Sequence, residues 1–246
     1  MIELESDASD GPLADDSGQP LDERMKGYEA VFHARLCRRV PVIVRVDGRA
    51  FHGVVPRWPN PKPFCRTFMF AMVGAAQQLA ADMQGFRLGY AQSDEASFLL
   101  VDYDRLSSEP WFGYDVQKMA SITAAEMTRA FAGGPADGTF DARVFNVPRE
   151  DVVNYFLWRA RDWSRNSLQM YARAFFSHKE LHGAGREQMH EMLHSIGKNW
   201  TTDLDEMTRN GSWLTDRPPQ VRHDLLPTYS AVAALVDPLL AQRGEE

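Results

Sequence analysis

The amino-acid sequence predicts an α+β fold, because segments with strand-like and helix-like patterns follow one another in a defined order. Four segments are rich in β-branched and aromatic side chains, as strands are: residues 41–47, 86–91, 96–101 and 140–147. Apolar side chains recur every three or four positions through residues 68–83 and 116–131, as on the buried face of a helix. The order strand, helix, strand, strand, helix, strand predicts a ferredoxin-like (βαββαβ) sheet with its first and third strands adjacent at the centre.

Further segments flank this predicted core. An amphipathic helix is expected from Leu21, because Met25, Tyr28, Val31 and Phe32 have helical spacing. A proline-rich loop over residues 56–63 excludes regular structure. The chain after the fourth strand is helical in pattern, with helices expected over residues 150–177, 186–196, 202–209 and 228–243.

The composition predicts three parts of the chain. Residues 1–20 combine Asp, Ser, Gly and Pro with few large apolar side chains, so they cannot bury enough surface to offset the entropy of ordering. They are predicted to be a disordered acidic tail. Residues 21–148 form the predicted catalytic domain, and residues 149–246 form a helical extension packed on it within the same globular unit.

The net charge and the apolar pattern bound the class of protein. The 246 residues carry a formal charge of −7, but residues 1–23 contain eight acids and no Lys or Arg, which leaves about +1 for the rest. A nearly neutral body with local basic clusters can bind RNA. No run approaches the roughly 18 apolar residues of a membrane span, and the first residues lack an export signal. Cys37 and Cys65 are the two cysteines, so a cytoplasmic protein with reduced thiols and no membrane partner is expected.

Three acids are predicted to meet at one end of the sheet. Asp47 ends the first strand, and Asp94 and Glu95 lie in the turn between the second and third strands. Carboxylates on neighbouring strands of such a sheet are typical of a polymerase or cyclase palm, where two Mg²⁺ ions roughly 4 Å apart act on a phosphoryl group. Gly48 allows close approach of its backbone, and its carbonyl can reach a metal. A purely structural role for these residues is the alternative.

A phosphate-binding turn is predicted directly after Asp47. The backbone N–H groups of residues 47–52 (Asp-Gly-Arg-Ala-Phe-His) could bind a triphosphate, as anion-binding nests do. Lys62 and Lys118 could contact phosphate oxygens, although a single Lys is more often a solvated surface residue. Proximity to the carboxylates would decide between these two roles.

A zinc site is a competing hypothesis. His190, Glu191 and His194 have the spacing of the zinc metalloprotease helix, in which two histidines bind zinc and the Glu activates water. In the longer metzincin pattern, however, Trp200 stands where the third His is required. Because Trp cannot bind zinc, the pattern argues against this hypothesis.

Arginines and tryptophans alternate on one predicted helix. Trp158, Arg159, Arg161, Trp163 and Arg165 combine cations with aromatic rings, which suits base stacking and phosphate contact in RNA binding. Equally, the two Trp side chains could pack in the core while the Arg side chains face water.

Four groups of residues together resemble a known family. They are residues 45–52 (Arg-Val-Asp-Gly-Arg-Ala-Phe-His), 92–98 (Gln-Ser-Asp-Glu-Ala-Ser-Phe), 140–143 (Phe-Asp-Ala-Arg) and the pair Trp158-Arg159. In this order and spacing they are similar to the tRNA(His) guanylyltransferase family, and more closely to its bacterial Thg1-like branch. The resemblance covers about residues 21–214.

The resemblance implies a polymerase-type palm that adds nucleotides to the 5′ end of tRNA in the 3′-to-5′ direction, with two Mg²⁺ ions. It implies that Asp47 and Asp94 bind both ions, that the Gly48 carbonyl binds one, and that Glu95 supports this catalytic cluster. The nucleotide, GTP or another, would be held by the residues Asp47, Gly48, Arg49, Ala50, Phe51, His52, Ser93 and Asp94, with Lys118 and Lys62.

The resemblance also implies the course of the reaction and the assembly. A 5′-monophosphorylated tRNA is first activated by ATP, and a nucleotide 3′-hydroxyl then displaces the activating group. Homotetramers are usual in this family.

Two departures from the family pattern refine this expectation. Residues 164–169 keep only Asn166 and Leu168 of the His-Ile-Asn-Asn-Leu-Tyr motif of eukaryotic members, which favours templated repair of 5′-truncated tRNA over obligatory addition of one G. Cys65 stands where the bacterial branch often has an acid. A palm-type nucleotide cyclase, a zinc metallohydrolase and a non-catalytic RNA-binding module remain the alternative hypotheses.

Overall fold

The structure is a computed structural model of the chain and describes residues 19–60 and 62–241. The predicted acidic tail therefore lies outside the described residues, apart from Gln19 and Pro20. The last few residues of the predicted terminal helix also lie outside them. The first described element is helix α1, Leu21–Ala30.

A six-stranded antiparallel sheet forms the centre of the molecule. Its strands are β1 (Val42–Gly48), β2 (Phe86–Gln92), β3 (Glu95–Leu100), β4 (Phe140–Asn146), β5 (Ser212–Thr215) and β6 (Gln220–Arg222). The strand order is β4-β1-β3-β2-β5-β6. The first four strands thus have the predicted ferredoxin-like order, with β1 and β3 adjacent, and the predicted fold class is confirmed.

Helices cover both faces of this sheet. After α1, they are α2 (Phe51–Val54), α3 (Arg66–Asp82), α4 (Val116–Phe131), α5 (Val152–Ala172), α6 (Arg186–Ser195), α7 (Trp200–Asp203), α8 (Glu206–Asn210) and α9 (Tyr229–Leu240). The two helices predicted between the strands, α3 and α4, form within a few residues of their expected bounds. Within the described part of the chain, no helix combines the length and the apolarity that crossing a bilayer requires.

The C-terminal part departs from the expected helical pattern. Strands β5 and β6 extend the sheet, because β5 pairs with β2 and β6 pairs with β5. Each is so short that its sequence shows no clear alternation, and pairing with a preformed edge decides its conformation. The helix expected over residues 202–209 is instead two short helices, since Leu204 is extended and the side chain of Asp205 caps α8.

The alternation of β1 and β3 sends their side chains to two different cores. Val42, Val44 and Val46 pack with α3 and α4 on one face, whereas Ile43 packs with α5 and α9 on the other. Because successive side chains of a strand alternate between faces, Arg45 and Asp47 lie on the α5 face, as does Glu95 on β3. This alternation brings polar residues of the strand ends under helix α5.

Helix α1 forms as predicted but buries none of its residues. The apolar side chains that suggested an amphipathic helix are all exposed in the chain: Met25, Tyr28, Val31 and Phe32. Helical spacing therefore identified the helix, but the face that it offers is not covered by the rest of the described chain.

Gly211 is a point where the fold requires glycine. It ends α8 at a φ of 76°, and an added Cβ would lie 2.5 Å from the Tyr90 hydroxyl, which itself donates to the carbonyl of Asn210. We predict that Gly211→Ala lowers the free energy of unfolding by roughly 1–3 kcal/mol from backbone strain alone. Urea unfolding followed by circular dichroism measures this change.

Gly74→Ala is the matched control, because Gly74 lies in the interior of α3 with open space around an added Cβ. It should raise the stability by about 0.5–1 kcal/mol, since Ala lowers the entropy of the unfolded chain and favours helix. Equal effects of the two substitutions on stability would contradict the conclusion that the fold requires glycine at position 211.

Candidate active site

A tight turn between β2 and β3 presents the first predicted carboxylate. Gln92 pairs with Glu95, so Ser93 and Asp94 alone make the turn. Ser93 has a φ of 49°, a conformation that residues other than Gly rarely adopt. Such backbone strain persists where the surroundings enforce it, often at functional sites.

The end of β1 meets this turn, as the sequence predicts. Asp47 pairs with Glu95 across the strands, and the N–H of Gly48 donates to the carbonyl of Asp94 at 2.8 Å. An added Cβ on Gly48 would clash with the Phe51 ring at 2.5 Å, so the close packing at this position requires glycine. The three predicted acids are therefore brought together at one end of the sheet.

Glu95 is bound between two arginines. Arg159 on α5 donates from Nε and Nη2 to the two carboxylate oxygens of Glu95, at 2.6 and 2.7 Å. Arg45 on β1 donates from Nη2 to Glu95 at 2.5 Å and to Asp47 at 2.8 Å. We call these four residues, Arg45, Asp47, Glu95 and Arg159, the ion-pair network. The Glu95 carboxylate is thereby occupied by arginines, and Arg45 fixes the orientation of Asp47.

Asp94 has a different environment from Glu95. Among the described residues it forms no ion pair at salt-bridge distance, and burial raises its pKa while the negative charge of Asp47 adds to the rise. Burial also raises the pKa of Glu95, and the attraction of Arg159 and then Arg45 limits that rise. Asp94 is thus the acid whose charge the protein itself compensates least.

Two cavities meet at the turn. The smaller, about 360 Å³, lies along α5 and has a polar lining that includes Asp47, Gln92, Glu95, Arg159, Asn166 and Gln169. The larger, about 570 Å³, has a more apolar lining that includes Phe51, His52, Val55, Lys62, Phe64 and Phe68. Ser93, Asp94, Trp163, Met170 and Arg173 line both. Two substrates could therefore approach Asp94 from two sides.

The turn after Asp47 is partly used by the fold itself. The N–H groups of Gly48 and Arg49 donate to the carbonyls of Asp94 and Thr139, so these two are not free for a phosphate. Ala50 has a left-handed conformation that starts α2. The N–H groups of residues 50–52 follow in the same turn, beside the larger cavity.

Other predicted nucleotide-binding residues fall in different places. His52 and Lys62 line the larger cavity, as does Phe51, which also packs against Phe131 and Phe140 in the core. Lys118 lies near the start of α4 with its Nζ 5.3 Å from the centroid of the Phe112 ring. It is not among the described residues that line either cavity, so the structure does not bring it to the carboxylates.

Asp47 and Asp94 are the groups of this site that could bind Mg²⁺. No group of three or more His, Cys, Asp or Glu in the described residues could by itself hold a metal. Mg²⁺, however, is usually bound through one or two carboxylates, with water and substrate phosphates as the remaining ligands. The pair Asp47 and Asp94 fits that requirement, because their mutual repulsion and the burial of Asp94 favour a cation.

The predicted zinc motif lies outside this site. His190 and His194 are on α6, with ring centroids 6.4 Å apart, and His190 packs against Trp200. Burial lowers the pKa of His190. The absence of any suitable group of three ligands in the described residues applies here too.

Comparison with known proteins decides the family. The family model Thg1, tRNAHis guanylyltransferase, matches residues 22–148. This chain belongs to the tRNA(His) guanylyltransferase family. The resemblance inferred from the four motifs is confirmed, and the family assignment makes the protein a nucleotidyltransferase.

Solved structures and curated relatives agree with this assignment. A bacterial tRNA(His) guanylyltransferase-like protein in complex with ATP is 34% identical, with a TM-score of 0.83 over 89% of this chain and 99% of that chain. A bacterial Thg1-like protein in complex with GTP is 29% identical, with a TM-score of 0.72 over 89% and 98%. A probable tRNA(His) guanylyltransferase of Dictyostelium discoideum is 25% identical over 75% of this chain and 78% of its own. None of these supports the cyclase or the zinc hydrolase.

Several site residues of this tRNA(His) guanylyltransferase family member were not predicted from the sequence. Arg45, the helix α5 residues Asp162 and Gln169, and Arg173 directly after that helix had no assigned role. The polar residues of α5 and its C-terminal end that line the smaller cavity recur at three- and four-residue intervals: Arg159, Asp162, Asn166, Gln169 and Arg173. These residues form a polar stripe beside the apolar stripe of the same helix. The sequence alone could have revealed this stripe as part of the site.

The environment of Asp94 predicts a pH-dependent stability in the absence of divalent ions. Its folded pKa is raised above 3.8, so the unfolded chain releases this proton at lower pH than the folded chain. As pH rises through that window, ionisation of Asp94 therefore lowers the free energy of unfolding. We predict that Asp94→Asn removes this loss, so that its stability relative to the wild type increases from pH about 3 to pH about 7.

Urea unfolding in EDTA across that pH range measures the difference. Asp137→Asn, in an exposed loop, is the matched control for loss of one carboxylate and should show little change in relative stability. A relative stability of Asp94→Asn that falls with rising pH would contradict the described environment.

Proposed function

We propose that this protein is a Mg²⁺-dependent nucleotidyltransferase that adds nucleotides to the 5′ end of tRNA in the 3′-to-5′ direction. One observation carries the proposal: Ser93 and Asp94 line two separate cavities, with Asp47 beside them. Joining two substrates requires a cavity for each, with the charge-stabilising groups at their junction. The family relationship supports the identity of both substrates.

The larger cavity is the proposed nucleotide site. Its apolar walls, which include Val55, Phe64 and Phe68, suit a base and a ribose, and its cations Lys62 and Arg173 suit a triphosphate. The N–H groups of residues 50–52 are further candidate phosphate donors. The bacterial Thg1-like structures in complex with ATP and with GTP are consistent with a nucleotide in this family fold.

The smaller cavity is the proposed site of the RNA 5′ end. Gln92, Asn166 and Gln169 offer amide groups, and Arg173 offers a guanidinium shared with the larger cavity. The same lining holds four acids, Asp47, Asp94, Glu95 and Asp162, so a phosphorylated RNA end would bind there together with Mg²⁺, with the amide groups and Arg173 as its direct contacts. Both substrates would then place their reacting groups, the nucleotide 3′-hydroxyl and the RNA 5′-phosphate, beside Asp94.

Asp47 and Asp94 are the proposed metal ligands, with the Gly48 carbonyl as an additional one. Mg²⁺ bound there would neutralise the triphosphate and favour the 3′-oxygen nucleophile. Arg45 orients Asp47 through their hydrogen bond. Glu95, predicted as a catalytic acid, is proposed to act as a positioning residue, because its carboxylate is held by Arg159 and Arg45.

In the proposed reaction, the nucleotide 3′-oxygen forms a bond to the activated 5′-phosphorus of the RNA. The bond from that phosphorus to the activating group, supplied by ATP, breaks, and the hydroxyl loses its proton. The fold must hold both substrates in line and exclude competing water from the phosphorus. Templated repair of 5′-truncated tRNA is the proposed use, since the eukaryotic motif is reduced to Asn166 and Leu168.

A homotetramer and a cytoplasmic location complete the proposal. The exposed apolar residues in and just after α1, such as Tyr28 and Phe32, offer a surface that self-association would cover. The cytoplasm supplies both nucleoside triphosphates and tRNA. Both statements rest on the family relationship rather than on contacts within the chain.

The function is tested with a tRNA that lacks its first nucleotide, incubated with ATP, labelled nucleotides and Mg²⁺. We predict extension at the 5′ end, lost on addition of EDTA and reduced at least about a hundredfold in Asp94→Asn, because the two carboxylates would no longer hold the metal. Gel separation of labelled RNA measures the product.

His190→Ala is the control, since His190 lies on α6 away from both cavities. It should retain extension, whereas a zinc enzyme using His190 would lose its activity. No extension by the wild type, or undiminished extension by Asp94→Asn, would refute the proposed function. Product formed from nucleotides without RNA would instead indicate a cyclase.

A further inference from the structure

Trp158 is an exposed tryptophan next to the proposed active site. The chain has six Trp residues, and 55% of Trp158 is exposed whereas the other five are at most 7% exposed. It lies on α5 directly before Arg159, the residue that binds Glu95. A large ring left in water beside a reaction centre is a candidate contact for a substrate.

Neighbouring side chains hold the Trp158 ring in place. The Arg159 guanidinium lies 4.5 Å from the ring centroid, and the same guanidinium binds Glu95. The Tyr155 ring packs against Trp158 with centroids 6.1 Å apart, and Tyr155 in turn packs against Phe145. Since Arg159 is fixed by Glu95, the Trp158 ring packs directly on a member of the ion-pair network.

A third cavity, of about 470 Å³, opens at this tryptophan. It is lined by Asn154, Leu157, Trp158, Arg161, Asp162 and Arg165. Asp162 also lines the smaller cavity, so the two cavities adjoin at this residue of α5. Arg165 pairs with Asp162, while Arg161 donates to the carbonyl of Pro227 at 3.3 Å. Because a carbonyl is neutral, that contact leaves the positive charge of Arg161 uncompensated.

We propose that Trp158 stacks on an unpaired base of the 3′ tail of the tRNA acceptor end, with Arg161 and Arg165 contacting the adjacent phosphates. The identity of the RNA rests on the proposed function. In tRNA the single-stranded 3′ tail leaves the helix beside the 5′ end, so a 5′ end in the smaller cavity brings the tail to the adjoining one.

The chemistry of the third cavity favours this occupant. An exposed aromatic ring between cations is the combination that binds single-stranded nucleic acid, because every base has a face that can stack and every linkage carries a negative charge. A second copy of the chain or another acidic protein could also be attracted by the cations, but its binding would not depend on a single-stranded RNA tail. Those occupants are therefore outcomes that the experiment must exclude.

The experiment compares binding of two RNAs to the wild type and to Trp158→Ala at one salt concentration, without ATP. The first RNA is a tRNA acceptor hairpin with its 3′ tail, and the second is the same hairpin with a blunt end. We expect the wild type to bind the tailed RNA about tenfold more tightly than the blunt RNA, because the blunt RNA lacks the base that would stack on Trp158. Trp158→Ala should lose this preference, and Trp158→Phe should retain most of it.

Tyr229→Ala is the matched control, because Tyr229 is also an exposed aromatic residue, with the same 55% exposure, at the start of α9. It should keep the preference for the tailed RNA. Arg161→Gln should weaken binding of the tailed RNA and reduce its salt dependence. A Trp158→Ala variant with the wild-type preference would overturn the proposal.

Fluorescence provides a second readout that a merely structural role would not change. Trp158 is the one exposed tryptophan of the six, so acrylamide quenching of the folded protein reports mainly on it. The tailed RNA should reduce quenching and the blunt RNA should not. If quenching of Trp158 instead fell with rising protein concentration in the absence of RNA, a second copy of the chain would be covering this residue. That result would overturn the proposal.

Failure of this proposal is distinguishable from failure of the proposed function. RNA extension with no effect of Trp158→Ala on tail preference would refute the stacking role alone. A wild type that neither extends nor binds the tailed RNA would refute both. Tail-dependent protection of Trp158 in a protein without extension activity would uphold the stacking role and refute the transfer reaction.

Discussion

The arrangement of the candidate active site depends on one buried carboxylate, that of Glu95. It is bound by Arg159 from α5 and by Arg45 from β1, so one side chain of β3 ties together three elements that are distant in sequence. Taking these charges out of water is costly, and close charge-assisted hydrogen bonds must offset that cost. Removing one partner of such a network typically costs about 3–5 kcal/mol, because a charge is left buried without a partner.

This network separates the roles of three acids that the sequence presents as one cluster. Glu95 serves the arginines, Asp47 is oriented by Arg45, and Asp94 lies in a strained turn without a described ion-pair partner. A carboxylate whose charge is poorly compensated has a raised pKa and gains most from a bound cation. The fold therefore uses the charge of Glu95 for ion pairs and leaves the charge of Asp94 available to a bound cation.

Much of the fold could be predicted from the sequence, because its signals are local. Segments rich in β-branched and aromatic residues identified β1 to β4, and a polar break between apolar runs placed a turn between β2 and β3. Glu95, however, was expected in that turn and instead begins β3. The ferredoxin-like order then places Asp47 beside the turn without any knowledge of side-chain contacts. These three steps use only strand pattern and known topology.

The remaining features could not be predicted because long-range packing decides them. The partnership of Glu95 and Arg159 joins residues 64 positions apart, and no local pattern encodes it. β5 is a strand because it pairs with the edge of β2. The separation of Lys118 from the carboxylates depends on how α4 packs on the sheet. The exposure of Trp158 but not Trp163 follows from the rotation of α5 about its axis over the sheet.

The central claim is that Asp47 and Asp94 bind the metal while Glu95 only positions them, and counting bound ions tests it most directly. Mn²⁺ in place of Mg²⁺, with a non-hydrolysable nucleotide, can be counted by electron paramagnetic resonance in variants that circular dichroism shows to be folded. We predict that Glu95→Gln binds the wild-type number of ions, whereas Asp47→Asn and Asp94→Asn lose at least one. Loss of an ion in Glu95→Gln, with none lost in Asp94→Asn, would contradict the claim.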